Sequence, residues 1–180
     1  GQSSAPQKNN QILALGLRGI PLVQSASPPG PLPVVRTGHT AVFDDGNGAQ
    51  SSVAYRYAHR VVVFGGSNAA GQPLSDVWAL YRDQLLNWSW VSLSPDPDPV
   101  WGFPAARTEH AAVYDKADSS MVVFGGLDSA QGPLGDVWKL HLHWGFSGVW
   151  TRLLPAGGDA SLPRYGHTAA YDPAARRVLI

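Results

Sequence analysis

Two short groups of side chains in this chain have the composition of metal sites. Residues 44–48 (Asp-Asp-Gly-Asn-Gly) carry oxygens that suit a hard cation such as calcium. They lack the twelve-residue loop with alternating ligands and a closing Glu, so we interpret them as a turn. His141 and His143 are two residues apart on a predicted strand, so their rings point to the same side. A third ligand is not evident beside them, and the sequence predicts no metal site and no cofactor.

The residues needed for the common catalytic arrangements are missing. The chain contains no cysteine, which excludes a disulfide, a Cys-based zinc site and a Cys nucleophile. No Ser, His and acid arrangement stands at a strand–turn–helix site, and no glycine-rich loop with Lys could cradle a phosphate. We therefore expect no catalytic residue and a protein that is not an enzyme.

Two clusters that mix aromatic and charged residues are better suited to binding. One belongs to an insertion between Asp44 and Arg60, and the other to the proline-rich stretch 94–106. Loops of this kind carry binding on rigid scaffolds. The candidate partner-binding residues are Tyr55, Arg56, Tyr57 and His59 in the first cluster, and Asp96, Asp98, Trp101 and Phe103 in the second.

The charge balance narrows the partners. Thirteen Lys plus Arg offset thirteen Asp plus Glu, so no net field attracts nucleic acid or an anionic membrane. The apolar stretch 12–23 is interrupted by Arg18 and Pro21 and is too short to cross a bilayer. The expected partners are proteins, including those of a large assembly. The compartment stays open with a lean to the cell interior, and Asn87 is a candidate glycosylation site if the protein is secreted.

A repeat organises the chain around these clusters. Residues 62–66 (Val-Val-Phe-Gly-Gly) return sixty residues later, and the same offset relates an Asp-x-Trp and a Trp-x-x-Leu segment. Upstream of each copy lie an Arg, two residues, a His and a short apolar run ending at an Asp, and this block occurs a third time at 164–172. The repeated residues expected to have structural roles are Gly65, Gly66, Asp76, Trp78, Trp90, Gly125, Gly126, Asp136, Trp138 and Trp150.

Each copy contains four short segments rich in β-branched or aromatic residues and separated by turn formers, which predicts four strands. The second segment is apolar throughout, as expected of a strand covered on both faces. The motifs Arg-x-x-His, Phe-Gly-Gly, Asp-x-Trp and Trp-x-x-Leu resemble kelch repeats over residues 36–180. The resemblance implies that each copy is one blade of a propeller. We expect an all-β, kelch-type β-propeller that is incomplete here, with about two full four-stranded blades plus parts of flanking blades.

The repeat also predicts boundaries. Two blades cannot close a propeller, which typically needs four to eight. We therefore hypothesise that further blades lie elsewhere in the same polypeptide, or that another chain covers the open edges. The predicted units are 1–16 (tail), 17–35 (outer strand of a preceding blade and Pro-rich linker), 36–93 (blade), 94–106 (linker loop), 107–154 (blade) and 155–180 (linker and start of a third blade).

Packing explains the repeated residues better than ligand binding does. The Gly pairs supply conformational freedom and close backbone approach, and the Trp side chains fill space between neighbouring sheets. Asp76 and Asp136 are expected to accept N–H bonds from the adjoining turns. Two interpretations stay open for Arg36, Arg107 and Arg164. They form an anion-binding ring, or each holds a backbone carbonyl or a carboxylate between blades.

The leading functional hypothesis is a non-catalytic protein–protein interaction or scaffold module that binds through the inter-strand loops of a kelch propeller. Kelch propellers resemble the core of galactose-oxidase-type enzymes, so an alternative is a carbohydrate-active or oxidase-type propeller fragment. Trp101, Trp144 or Phe146 would then stack on a sugar. Such enzymes use copper and a Cys-linked Tyr, and the lack of cysteine argues against them. A further alternative is a permanent architectural subunit of a large filament or cytoskeletal assembly.

Overall fold

The computed structural model describes residues 13–14, 23–24, 30–46, 59–82, 88–143, 145–154 and 162–180, and all regular secondary structure within these ranges is β-strand. The candidate residues Tyr55, Arg56 and Tyr57, the possible glycosylation site Asn87, and Trp144 lie outside the described residues. The strands are β1 (Leu13–Ala14), β2 (Val23–Gln24), β3 (Thr40–Asp44), β4 (Arg60–Phe64), β5 (Val77–Arg82), β6 (Trp88–Leu93), β7 (Ala111–Asp115), β8 (Ser120–Phe124), β9 (Leu127–Asp128), β10 (Gly132–Pro133), β11 (Val137–Leu142), β12 (Gly148–Leu153), β13 (Ala170–Asp172) and β14 (Arg177–Leu179).

The strands form two antiparallel sheets of four. The first blade is β3–β4–β5–β6, and the second blade is β7–β8–β11–β12 with the hairpin β9–β10 inserted. A third, partial blade contributes β13–β14, and β1 pairs with β2 near the N-terminus. Equivalent residues keep equivalent registers, since Val63 lies opposite Trp78 and Val123 lies opposite Trp138. This architecture confirms the predicted all-β fold with two full blades and part of another.

The second strand of each full blade runs through the core. Every residue of β8 is buried, and Val62 and Phe64 of β4 are fully buried as well. Phe64 contacts the second blade, where the rings of Trp150 and His110 lie 5.0 and 5.2 Å from its own. Phe64 is therefore packed between the two blades, which explains why β4 needs an apolar residue at that position. Each such buried side chain contributes roughly 1.5–3 kcal/mol.

The Gly-Gly pairs end these strands where the next blade approaches. Gly65 and Gly125 have φ angles of 60° and 62°, in the left-handed region that favours glycine. A Cβ on Gly125 would lie 2.6 Å from the Arg164 carbonyl oxygen, which is too close for a real contact. The following glycine, Gly126, donates its N–H to that same carbonyl at 2.9 Å. The pair thus allows two blades to join through the backbone.

Among the first strands of the blades, β7 has β3 on one side and β13 on the other. We call the side where these strands begin (36–39, 107–110 and 164–167) the start side. The side where they turn back into the second strands (44–60, 115–120 and 172–177) is the turn side. On the turn side, the Tyr114 hydroxyl of the second blade donates to the Asp44 carboxylate of the first at 2.7 Å. Tyr171 and Asp115 repeat this bond at 2.6 Å, so it ties each blade to the next.

Candidate interaction surface

The repeated arginines form a clamp inside each full blade. Arg107 donates two hydrogen bonds to the Asp136 carboxylate, at 2.7 and 2.9 Å, and a third to the Gly125 carbonyl at 3.0 Å. The Trp138 indole N–H donates to the same carboxylate at 2.6 Å. Burial alone would raise the pKa of Asp136, but the Arg107 and Trp138 contacts outweigh it and lower the pKa. The clamp joins the start of β7 to the start of β11.

The first blade has the same clamp, which decides between the two interpretations of the arginines. Arg36 binds the Asp76 carboxylate at 2.6 and 2.7 Å and the Gly65 carbonyl at 3.0 Å. Arg36 and Arg107 therefore hold a carboxylate and a carbonyl, within a blade rather than between blades. An anion-binding ring is wrong for these two residues because their guanidinium groups already bind carboxylates. The aspartates bind Arg and Trp side chains, where the sequence pattern predicted turn N–H groups.

The repeated tryptophans pack in the sheets. Trp138 and Trp150 are buried, and their rings meet edge to face with centroids 6.3 Å apart. Trp78 is half-buried and donates its indole N–H to Asp76 at 2.7 Å. Trp90 is half-buried too, and its indole nitrogen is enclosed without a hydrogen-bond partner. These four tryptophans therefore do not form an open row on which a ligand could stack.

The linker 94–106 runs along the outer edge of the second blade. The backbone of Asp96 pairs with β12, donating to the Gly148 carbonyl at 2.8 Å and accepting from the Trp150 N–H at 2.9 Å. The Asp98 carboxylate is only 7% exposed and accepts backbone N–H bonds from Arg152, Trp101 and Val100 at 2.8–2.9 Å. These bonds lower the pKa of Asp98. Asp98 is thus a brace of the loop rather than an exposed recognition group, whereas the Asp96 side chain is exposed.

The braced part of the linker presents apolar side chains to solvent. Val100, Trp101 and Phe103 are 77%, 51% and 57% exposed, and we call these three residues the rim patch. The Arg152 guanidinium carbon lies 4.4 Å from the Trp101 ring centroid, a distance typical of a cation–π contact. The rim patch is therefore apolar, lies on a loop that is bonded to β12, and has the positive charge of Arg152 beside it.

The other predicted cluster is only partly described. His59 is exposed and immediately precedes β4 of the first blade. It adopts a left-handed φ of 66°, and its ring lies edge-on to Phe43 with centroids 6.2 Å apart. His59 lies on the turn side of the first blade, while the rim patch lies on the outer edge of the second. The structure does not bring these two together.

A polar network on the turn side was missed by the sequence reasoning. Arg60 is almost fully buried and donates to the Asp44 carboxylate at 2.9 Å, to the His143 carbonyl at 3.0 Å and to the Gly145 carbonyl. It therefore fastens the first blade to the β11–β12 hairpin of the second. The sequence shows an Asp at the end of each first strand, and this repeated Asp could have indicated the network. Its partners come from distant segments, which the sequence does not specify.

No group of three or more His, Asp or Glu side chains in the described ranges is placed to hold a metal ion. The same ranges contain no helix with the length and apolar character needed to cross a membrane.

Successive four-stranded antiparallel blades joined along their first strands define the β-propeller class, and the Arg-x-x-His, Gly-Gly and Asp-x-Trp contacts place the chain among propellers of the kelch type. The family model described as "KLHDC2/KLHL20/DRC7 Kelch-repeats domain" matches residues 56–178, more than half of the chain. The chain belongs to the kelch-repeat family.

Curated relatives carry similar segments. The chain is 32% identical over 123 residues to an F-box/kelch-repeat protein of Arabidopsis thaliana, a match that covers 63% of this chain and 24% of that protein. It is 30% identical over 129 residues to human Kelch domain-containing protein 10, covering 66% of this chain and 26% of that protein. Human Multiple epidermal growth factor-like domains protein 8 is 28% identical over 130 residues, with coverages of 72% and 4%. The chain spans about a quarter or less of the length of these relatives.

Proposed function

We propose that this chain is a non-catalytic protein-binding module and that the rim patch is its main contact surface. The single observation that carries the proposal is the exposure of Val100, Trp101 and Phe103 on a loop whose backbone is fixed to the blade. Exposed large apolar groups gathered on one surface mark interaction sites in soluble proteins. Aromatic anchors held in a rigid loop lose little entropy when a partner binds.

The other conspicuous side chains support this proposal because packing already occupies them. Arg36 and Arg107 bind carboxylates, Trp138 and Trp150 are buried, and Asp98 braces the linker. The side chains that do not belong to the repeated pattern lie in the loops. Among those of the linker 94–106, the rim patch is the most apolar exposed part. Arg152 at its border favours a partner that presents an apolar group beside a carboxylate.

An oxidase-type or carbohydrate-active propeller fits less well. Phe146 is half-buried and its ring lies 5.1 Å from that of Tyr81, so it packs on the first blade. Trp101 carries the Arg152 guanidinium on its ring. A sugar-stacking platform that used Phe146 would need its contact with Tyr81 to break, and Arg152 already covers part of the Trp101 ring.

The proposal is tested by quantitative affinity purification from the source cells, comparing the wild type with the Trp101→Ala/Phe103→Ala variant. We expect the proteins that co-purify with the wild type to be depleted at least tenfold by the double variant. The matched control is Leu162→Ala, which removes a 72% exposed apolar side chain from the partial third blade.

Two results would overturn the proposal. Undiminished recovery of all partners by the double variant would exclude the rim patch, and equal losses in the Leu162→Ala control would show non-specific adhesion. A photo-crosslinking amino acid at position 101 gives independent support if it captures the same partners, because crosslinking requires direct contact.

A further inference from the structure

We propose that His141 and His143 form a binding site for a zinc-class divalent ion on the turn side of the second blade. This site goes beyond the proposed protein-binding function and does not depend on it. The spacing of the two histidines predicted rings on the same side of a strand, but it did not predict that the rings are oriented to bind one ion. The contacts around the two rings supply that reason.

The two imidazole rings have the separation of ligands on one ion. Their centroids are 5.2 Å apart and the ring planes cross at 74°. With zinc–nitrogen bonds of about 2.0–2.1 Å, two imidazoles on one tetrahedral ion have centroids about 5 Å apart. The His141 side chain is 41% exposed and His143 is exposed, so an ion can reach both rings from solvent.

A buried serine sets the tautomer of His141. The Ser120 hydroxyl is fully buried and donates to the Asp118 carbonyl at 2.9 Å. Since that uses its only proton, the hydroxyl accepts a hydrogen bond from His141 Nδ1, which lies 3.2 Å away. A proton on Nδ1 leaves the lone pair on Nε2, the atom that would bind the ion. Metal-binding histidines are held in this way, with the second ring nitrogen donating to a protein group.

The carboxylate of Asp118 supports the same arrangement. One of its oxygens lies 3.8 Å from His141 Nδ1, and the other accepts a hydrogen bond from Lys139 at 2.6 Å. The negative charge beside Nδ1 favours the proton there and offsets the positive charge of Lys139 near the site. Asp118 therefore acts through His141 rather than as a ligand.

The backbone of His143 is fixed from two sides. Its N–H donates to the Ser147 carbonyl at 3.2 Å, and its carbonyl accepts from the Arg60 guanidinium at 3.0 Å. Arg60 is in turn held by Asp44 at 2.9 Å. The His141 ring and the His143 backbone are thus held in place before an ion arrives, which lowers the cost of binding. Because no third His, Asp or Glu of the described ranges joins them, the remaining positions are open to water or to a partner's side chain.

The test is calorimetric titration of the untagged full chain with Zn²⁺ in a non-chelating buffer. We expect one ion per chain, and at least a tenfold weaker affinity for His143→Ala, which removes one exposed ligand. The matched control is His59→Asn, because Asn tolerates the left-handed backbone at that exposed position; zinc affinity should stay unchanged.

The Ser120→Ala variant separates an oriented site from two unrelated histidines. It keeps both ligands but frees the His141 tautomer, so zinc affinity should fall about tenfold, as it does on loss of an outer partner of a ligand. Thermal melts without zinc check that each variant is folded. Zinc binding that persists in His141→Ala/His143→Ala, or no binding by the wild type, would overturn the site. An unchanged affinity in folded Ser120→Ala would overturn the role of the serine.

Discussion

The first and second blades have the same contacts on the start side and different contacts on the turn side. On the start side, Arg36 and Arg107 each bind an Asp, a glycine carbonyl and the carbonyl two residues upstream. On the turn side, the first blade carries an insertion between Asp44 and Arg60, whereas the second closes its turn with residues 116–119. The position opposite the Asp is Arg60 in one blade and Ser120 in the other.

This difference separates residues that build every blade from residues that make contacts in one blade only. Repeated side chains on the start side have repeated partners, and those partners leave no room for a ligand. On the turn side, Arg60 reaches into the neighbouring hairpin, while Ser120 turns to His141. Where the repeat is broken, a side chain is free to make contacts that only one blade has.

The largest expected effect tests how alike the two clamps are. Arg107 is fully buried and its partner Asp136 is 18% exposed, so Arg107→Ala leaves a carboxylate poorly solvated. We expect the free energy of unfolding to fall by about 3–5 kcal/mol. Arg36→Ala should cost clearly less, because Asp76 is 37% exposed and water can replace the guanidinium. Guanidinium-induced unfolding followed by Trp fluorescence measures both losses.

The control for this pair is Arg107→Lys, which keeps the charge but not the two parallel hydrogen bonds. The free energy of unfolding that Arg107→Lys loses should lie between zero and the loss caused by Arg107→Ala. If Arg36→Ala lowered the free energy of unfolding as much as Arg107→Ala or more, this would contradict the view that the clamp of the second blade is the more buried and the more important for stability.

A pH-dependent effect distinguishes the histidines that begin the first strands. His110 is buried between Thr40 and Phe64 of the first blade, while His39 is exposed. Burial, with a smaller effect of Arg107, lowers the pKa of His110 to about 3. The unfolded chain, with a pKa of about 6.5, therefore binds the proton first, and stability is lost as pH falls below 6.5. Between pH 7 and pH 5 we expect a loss of about 2 kcal/mol from His110.

Substitution shows which residue is responsible. His110→Gln should remove most of the slope in unfolding free energy between pH 7 and 5, whereas His39→Gln should remove less. His167, whose pKa burial also lowers, adds a smaller part. Asp76 and Asp136 have lowered pKa values, so their contributions to stability are lost below about pH 5, outside this window. An unaltered slope in His110→Gln would contradict the assignment.

The repeat made the fold predictable but not the contacts between distant segments. Phe-Gly-Gly and Asp-x-Trp recur at a fixed offset, and each marks a strand or its end wherever it occurs. Arg36 and Asp76 are forty residues apart, so their pairing depends on a register that composition does not specify. Asp98 was predicted as a partner-binding candidate, and its carboxylate accepts the Arg152 N–H from 54 residues away.

Trp101 and Phe103 were easier to select as binding candidates because they have no repeated counterpart with a packing role. Arg60 and Ser120 stand at equivalent positions of the two blades but differ in residue type, and this difference is a second signal in the sequence. Comparing copies position by position, and asking which residue departs from the pattern, would have found both. Their partners in the β11–β12 hairpin still require the fold.

The smallest expected effect concerns the bond that ties neighbouring blades on the turn side. Tyr114→Phe removes the donor to Asp44, a carboxylate that is 4% exposed but still held by Arg60. Because one charged partner remains, we expect a loss of about 1.5 kcal/mol in unfolding free energy, the lower end for a hydrogen bond to a charged group. Tyr171→Phe should cost less, since Asp115 is only partly buried and the third blade is more exposed. The first blade already has Phe43 at the equivalent position, which shows that the strand accepts Phe without the hydroxyl. Chemical unfolding of both variants measures the difference, and a larger loss in Tyr171→Phe would mean that the partial blade, rather than the buried Arg60–Asp44 network, dominates the coupling between blades.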